Sequence, residues 1–390
     1  MNDGATELAR LAAEHKRLAI DTEFVSERRY QALLCLVQIA VPDPSDPEGV
    51  RTDVLDPLDD ERRFDPAPLA AVLADPEVEI VVHAGRQDVA ILRRTWQTSV
   101  TNVFDTQVGA GFLGMGNQEG YESLARRVLG AQLRGGEGFT RWDKRPLTER
   151  QLAYAADDAR CLLALGDAIA RELSATGRLE WAREECRHVE QSRDDRSPEQ
   201  AYERLPNLRR LDGKQRAVAR RLCEWRDEVA REVDRPPSSL IPDQSLIQIA
   251  RRRPTTKEAL EQIRGLPQQT LHRRAHDLLR AIASADDDEP MPGPPPAPQR
   301  DAAEAPVVSL AQALVRHRSR ESKIATELIA TQSELTAVVS GMRRGDEPDG
   351  IRVLNGWRRE LVGEELCALV RGEVAMSVDE SGSLVVRRTG

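Results

Sequence analysis

Residues 17–25 read RLAIDTEFV, a strand-like apolar run interrupted by two carboxylates one position apart. Side chains alternate across a strand, so Asp21 and Glu23 project from the same face, close to one another. Two like charges held together cost free energy unless a cation or a proton relieves them. Such a strand either ends in solvent or presents a carboxylate pair to something positive. Which of these applies depends on what the rest of the chain supplies.

At 390 residues the chain is long enough for two or three domains. Hydrophobic residues make up 40% and charged residues 31%, which allows a packed core under a heavily charged surface. Aromatics are only 4%, which argues against base stacking as the main binding device. A net charge of −9 argues against a uniformly basic nucleic-acid binder but not against a local basic surface. The five cysteines (Cys35, Cys161, Cys186, Cys223, Cys367) include no C-x-x-C pair, so reduced thiols are expected, with neither a disulfide framework nor a zinc site. The first 17 residues have no apolar core of the signal-peptide kind, and no stretch approaches about 18 uninterrupted apolar residues. A soluble cytoplasmic protein with no membrane span is the expectation.

From Leu18 to about Ala170 strand-like and helix-like segments alternate. LAIDTEF, LLCLVQIAV and VEIVVHA read as strands; QDVAILRRTW, YESLARRVLG and LTERQLAYAADDARCLLALGDAIARELSATG read as helical. That mixture implies an α/β domain on a central sheet. From Asn207 to Ser284 the chain turns helical and basic, with 17 Lys/Arg against 10 Asp/Glu, a net of +7. DDDEPMPGPPPAPQRDAAEAP follows, an acidic, Pro-rich stretch suited to an extended linker. The last segment is helical again, and DESGSLVVRRTG at its end reads as a frayed tail or an edge strand.

Two further acidic sites stand out. In EIVVHAGRQDVAILRR the chain leaves a strand through Ala84-Gly85 and enters a helix with Asp88 in its first turn. Acids are common there for the helix dipole alone. In QLAYAADDARCLLAL, Tyr154 and Asp158 stand at i and i+4 on one helix face, with Asp157 directed elsewhere. A core tyrosine and a solvated acid would satisfy that pattern equally well. Taken together, DTEF, the H-A-x-x-x-D segment from His83 to Asp88, and RPLTERQLAYAADDA resemble the ribonuclease D family, in the tyrosine-bearing branch of the four-carboxylate 3′–5′ exonucleases. A related branch carries a histidine five positions before the last aspartate, where this chain has Ala153. The resemblance implies a ribonuclease H-like α/β domain with a mixed central sheet. It also implies that Asp21, Glu23, Asp88 and Asp158 hold two divalent ions, Mg²⁺ or Mn²⁺, with Asp21 bridging, while Tyr154 orients the attacking water. Hard divalent ions prefer oxygen ligands, which agrees with an all-carboxylate set.

Neighbouring residues receive structural readings. His83 is expected to be a buried, hydrogen-bonded imidazole, Asp105 a helix cap, and Trp142 a core residue. Relatives often have a Ser-Asp pair before this Trp, where this chain has Thr140-Arg141. Gly135, Gly136 and Gly138 make a flexible loop rather than a phosphate-binding loop, since no GK[ST] follows.

The basic segment resembles the HRDC module, through Trp225-Arg226, the Asp234-Arg235-Pro236-Pro237 turn, Ile241-Pro242-Asp243 and Ile263-Arg264-Gly265-Leu266. Arg251, Arg252, Arg253, Arg273 and Arg274 are candidates for phosphate contact, or else a solvated face paired with Glu and Asp. LNGWRRELVG (354–363) resembles the end of ribonuclease D, where a second HRDC-type module stands. The expected organisation is an exonuclease domain over 1–190, an HRDC domain over 205–285, a linker over 286–306 and a second, all-α HRDC-like domain over 307–390. The expected function is metal-dependent 3′–5′ exoribonuclease action, by a monomer, on the 3′ ends of structured RNA such as tRNA precursors, releasing 5′-mononucleotides. A DNA exonuclease and an inactive nucleic-acid-binding scaffold remain as alternatives.

Overall fold

A computed structural model describes residues 3–61, 63–116, 118–133, 140–194, 197–285, 288–293, 303–345 and 348–389. Gly135, Gly136 and Gly138 lie outside the described residues, as does most of the Pro-rich linker. The chain forms two compact units, one of residues 1–23, 35–192 and 298–390, the other of 24–34 and 193–297.

The first unit is built on a five-stranded sheet in the order β3-β2-β1-β4-β5. Its strands are β1 (Arg17–Val25), β2 (Leu33–Pro42), β3 (Val50–Leu55), β4 (Glu79–Val82) and β5 (Val103–Asp105). The sheet is mixed, as expected: β4 runs parallel to β1 and to β5, whereas β2 and β3 are antiparallel. The ladder between β1 and β4 covers Arg17 to Ala19, so Asp21 and Glu23 lie past its end. The crevice beyond the carboxyl ends of parallel strands is where open α/β sheets bind ligands.

Eight helices accompany these strands: α1 (Asp3–His15), α2 (Ala67–Ala74), α3 (Arg86–Thr95), α4 (Thr106–Phe112), α5 (Tyr121–Leu129), α6 (Glu149–Arg160), α7 (Leu162–Ala175) and α8 (Leu179–Glu190). Sequence reading passed over α1, although its Ala5, Leu8, Ala9, Leu11 and Ala12 form a buried stripe at helical spacing. The long helical span around Tyr154 divides at Cys161, which closes α6 and opens α7. Thr148 begins α6 with a capping box shared with Gln151, which fixes where the helix starts and so which residues face the sheet.

The second unit is helical: α9 (Pro198–Glu203), α10 (Gly213–Glu232), α11 (Pro237–Leu240), α12 (Asp243–Arg252), α13 (Lys257–Glu261) and α14 (Gln268–Ser284). Leu246, Ile249 and Ala250 of α12 are fully buried in its core. Asp234 takes up the left-handed conformation just beyond α10, and Pro237 opens α11. Residues 24–34 belong to this unit. The Tyr30 hydroxyl donates to Asp227 at 2.8 Å, Arg29 pairs with Asp234 at 2.9 Å, and Arg231 lies 5.5 Å from the Tyr30 ring.

Beyond the linker come α15 (Ala305–Ser322), α16 (Thr326–Ile329), α17 (Gln332–Arg343) and α18 (Gly356–Arg358), the last running through a π-helical turn into α19 (Glu364–Arg371). Rather than standing apart over 307–390, this segment packs into the first unit and shares its hydrophobic core. Trp357 is fully buried, with its ring 4.8 Å from Phe112 and 5.8 Å from Trp181. Arg358, also buried, bonds Glu185 of α8 at 2.7 Å. Gly356 takes the left-handed conformation, at φ +51°, that glycine adopts most readily, and the Glu184 carboxylate lies against it. The terminal stretch forms an antiparallel hairpin of β6 (Val374–Val378) and β7 (Leu384–Arg388). Among the described residues, no helix is long and apolar enough to cross a membrane.

Candidate active site

Three elements of the first unit deliver the acidic side chains. Asp21 and Glu23 come from the end of β1, Asp88 from the first turn of α3, and Asp158 with Tyr154 from α6. The turn from β4 into α3 is tightly specified. Ala84 sits at φ +52°, and a Cβ on Gly85 would come within 2.5 Å of the Val82 side chain, so the close approach needs glycine. The Asp105 carboxylate, almost wholly buried, accepts from the backbone N–H groups of Ala84 (3.0 Å), Gly85 (2.9 Å), Gln107 (2.8 Å) and Val108 (3.3 Å). It caps α4 as expected and also holds the turn that aims Asp88. On α6, Ala155 and Ala159 face the core while Tyr154 and Asp158 share a different side. Trp142 is buried and stacks on the Tyr154 ring at 6.2 Å, which fixes the plane of the phenol.

Burial raises all four carboxyl groups, and other acids of the site raise two of them further. Burial pushes Asp21 well up, and the charges of Asp88, Asp158 and Glu23 push it further. Glu23 is pushed up to about 8, by burial first and then by Asp158 and Asp88. Burial raises Asp158 to about 7 against a lowering hydrogen bond from Tyr154, and raises Asp88 to about 6 against hydrogen bonds from Thr22. The Tyr154 hydroxyl is itself pushed upward by burial and by Asp158 and Glu23, so at neutral pH it is a donor. Asp157 acts on Asp158 from the neighbouring position, and the charges acting on Glu23 are those of Asp158 and Asp88.

Thr22, between the two carboxylates of β1, is buried and donates its hydroxyl to Asp88 at 2.5 Å. Sequence reading had no reason to single it out, because threonine is an ordinary strand residue. His83 is hydrogen-bonded as expected, with Nδ1 2.9 Å from Thr106 Oγ1 and Nε2 3.1 Å from the Glu119 carbonyl. Burial lowers its pKa and favours the neutral ring.

Among the described residues, no three His, Cys, Asp or Glu side chains are gathered closely enough to grip an ion. The charges of Asp88 and Asp158 nevertheless reach Asp21 and Glu23 and raise both. The donor set suits hard divalent ions: it is all oxygen, partly or fully buried, and in excess of negative charge with no Lys or Arg among the charges acting on it.

The candidate phosphate-binding arginines lie in the second unit. Arg251, Arg252, Arg253 and Arg273 are exposed. Arg274 differs: it pairs with Glu232 at 2.7 Å and is only 27% exposed.

Residues 1–174 match the family model of 3′–5′ exonucleases, and residues 215–282 match the HRDC domain. Ribonuclease D of Granulibacter bethesdensis is 35% identical over 370 residues, covering 93% of this chain and 89% of that protein. Ribonuclease D of Sphingobium indicum is 33% identical over 388 residues, covering 97% and 95%. The crystal structure of Escherichia coli RNase D, described as an exoribonuclease involved in structured RNA processing, superposes with a TM-score of 0.82 at 28% identity, covering 95% of this chain and 97% of that one. Family membership of this kind implies dependence on a divalent metal. With the acid-bearing elements in place and relatives matching along nearly the whole length, the chain belongs to the ribonuclease D family and is a 3′–5′ exoribonuclease.

Proposed function

We propose that Asp21, Glu23, Asp88 and Asp158 hold two divalent ions, Mg²⁺ or Mn²⁺, and that the chain uses them to trim the 3′ ends of structured RNA, tRNA precursors among them. One observation carries this reading: four carboxyls are each raised by burial, and Asp21 and Glu23 further by other acids of the site, so the charged forms are costly there until a divalent cation displaces the proton. Bound there, two ions supply charge stabilisation at the attacking and leaving oxygens of a phosphodiester. The chain's own residues do the rest. Asp21, the carboxyl on which the charges of Asp88, Asp158 and Glu23 all act, would serve both ions. Thr22 holds the Asp88 carboxylate, and Asp105 holds the turn beneath it. Tyr154, its ring fixed by Trp142 and its O–H given to Asp158, would orient the water that attacks the terminal phosphodiester by accepting from it at the phenol oxygen, and 5′-mononucleotides leave one at a time.

The exposed arginines of the second unit, Arg251, Arg252, Arg253 and Arg273, with Arg274 beside them, provide phosphate contacts for the RNA body. A cytoplasmic place agrees with five free cysteines. The test is direct. Purified protein with Mg²⁺ or Mn²⁺ is given 5′-labelled substrates: a precursor tRNA with a 3′ extension, a single-stranded RNA and its DNA counterpart. The reading predicts a ladder shortening from the 3′ end of the precursor, stopping near the mature end, and abolished by EDTA. Activity that survives EDTA, or that prefers the DNA strand, contradicts it.

A further inference from the structure

A cleft of about 650 Å³ opens within the first unit, lined by α8, α15, the π-helical turn, α19 and the terminal hairpin; none of the four acids of the site lines it. That volume is in the range of small-ligand sites, roughly 300–1,000 Å³. Leu361, Val374 and Val386 give it apolar surface. Trp181 gives it an aromatic ring, held by a stack on Trp357 tilted only 25° and by its indole N–H, which donates to Glu360 at 3.2 Å. The remaining walls are charged, and most of those charges are answered. Arg318 bonds Glu365 at 2.5 Å and Glu321 as well. The exceptions are Arg387 and Arg388 on β7, whose exposed guanidinium groups have no hydrogen-bond or ion-pair partner among the described residues. Their backbone is nonetheless fixed. Arg387 stands opposite Ala375 and Arg388 opposite Val374 in the hairpin, and the following Thr389 is tied to Glu373 at 2.9 Å and to Gly372 at 2.7 Å.

We infer that this cleft binds a ribonucleotide, with its phosphate on Arg387 and Arg388 and its base against Trp181. The walls select that class by exclusion as well as by attraction. A polyamine would meet two unanswered guanidinium groups, and a bare phosphate would leave the aromatic and apolar walls unused beside the carboxylates of Glu360 and Glu364. A nucleotide offers each wall what it lacks: anionic oxygens for arginine, a flat ring for tryptophan, and ribose hydroxyls that donate to carboxylates. A unit of an RNA strand and a free mononucleotide share this chemistry, and an exoribonuclease meets both.

The test uses the full-length protein in EDTA, titrated with 5′-AMP, a single-stranded adenosine pentaribonucleotide, adenosine and orthophosphate while tryptophan fluorescence is followed. The 5′-AMP arm involves no cleavage, so its outcome does not depend on the metal-site reading. Arg387→Gln/Arg388→Gln should weaken 5′-AMP, the pentamer or both by about 10-fold or more, the worth of a lost charge-assisted hydrogen bond, and should leave adenosine unaffected. Its melting temperature should equal the parent's, since both side chains are exposed and unpartnered. Arg387→Lys/Arg388→Lys, which keeps the charge but loses the planar fork, should fall between the two. Trp181→Phe should remove the fluorescence change. Weakening of 5′-AMP alone assigns the cleft to the free mononucleotide, and weakening of the pentamer alone assigns it to the RNA strand; weakening of both assigns it to the nucleotide in either form. Affinities within twofold of the parent for both ligands would overturn the inference. So would orthophosphate binding as tightly as 5′-AMP without a fluorescence change, which would make the arginines a general anion patch.

Discussion

The first unit treats buried carboxylates in two opposite ways. Glu185 on α8 is 4% exposed and fully answered: Arg358 bonds it at 2.7 Å, and the Trp357 indole N–H reaches it at 3.4 Å. Asp21, Glu23, Asp88 and Asp158 are packed together with no basic side chain among the charges acting on the first two and the last. Both arrangements lie in one compact unit. The difference is that the Glu185 pair closes a seam between α8 and the returning C-terminal segment, whereas the four acids leave their charge open for something to arrive. A paired buried acid marks structure; a group of unpaired ones marks a site.

This contrast predicts opposite signatures on mutation. The largest expected effect is on the open side. Asp21→Asn or Asp158→Asn should lower RNA trimming by about 10³-fold or more, the loss of about 4 kcal/mol of barrier stabilisation, while the folded protein persists in circular dichroism. Next comes the closed side. Arg358→Met strands Glu185 in the core and should cost about 3–5 kcal/mol in denaturant unfolding of the first unit. The double variant Arg358→Met/Glu185→Leu should recover much of that loss, because a well-packed apolar replacement of a buried pair is often neutral. If Arg358→Met instead leaves stability untouched and reduces turnover alone, the division between the two regions collapses.

Tyr154→Phe keeps the stack on Trp142 and removes the hydroxyl; turnover should fall by about 10²-fold with RNA affinity unchanged. Unchanged turnover would return Tyr154 to the core. The smallest effect belongs to the second unit. Exchanging Arg251, Arg252 and Arg273 for glutamine should flatten the slope of log affinity against log salt by about 0.7–0.9 for each phosphate no longer neutralised. Arg274→Gln should do less, since Glu232 already occupies its guanidinium. An identical slope in the triple variant would mean that these arginines never touch the RNA backbone.

Much of this was legible in the sequence because the acids sit where local geometry alone decides their neighbours. Asp21 and Glu23 share a strand face by alternation, and Tyr154 and Asp158 share a helix face by spacing; the charges of Asp88 and Asp158 reach both acids of the strand. Elements carrying little local signal are not legible in this way: β3 has three consecutive polar residues, Arg51, Thr52 and Asp53, between its apolar ends, and β5 is three residues long. The return of residues 298–390 into the first unit was also hidden. It depends on Trp357 meeting Phe112 and Trp181, and no local pattern announces a meeting across some 170–240 positions. That packing has a consequence for truncation: cutting the chain after Ser192 would remove not only the helical unit but also the Trp357–Arg358 seam from the nuclease core. Thr22 is not legible for a different reason, since threonine is an ordinary strand residue and only its burial and its bond to Asp88 give it meaning.

The pH dependence follows from the same open charge. Folded Asp88, Asp158 and Glu23 titrate near 6, 7 and 8, above the ordinary carboxylate range near 4, so in that window the folded state binds more protons than the unfolded one. The contribution of these three groups to the stability of the metal-free protein is therefore fully present below about pH 4 and is lost as pH rises through 8. Divalent ions compete with those protons, so Mn²⁺ affinity should rise over the same interval. Titration calorimetry at pH 6 and pH 8 checks the sign.

The most direct measurement is the melting temperature of the parent and of Asp21→Asn at pH 7.5, each in EDTA and in Mn²⁺. In EDTA the Asn variant should melt higher than the parent, because a buried acid whose charged form its surroundings penalise is gone. In Mn²⁺ at about 100-fold above its dissociation constant the parent should gain about 2.7 kcal/mol, and the order of the two proteins should reverse. A parent whose melting temperature ignores Mn²⁺, or an Asn variant less stable than the parent in EDTA, would contradict the claim that these carboxylates are held together for metal.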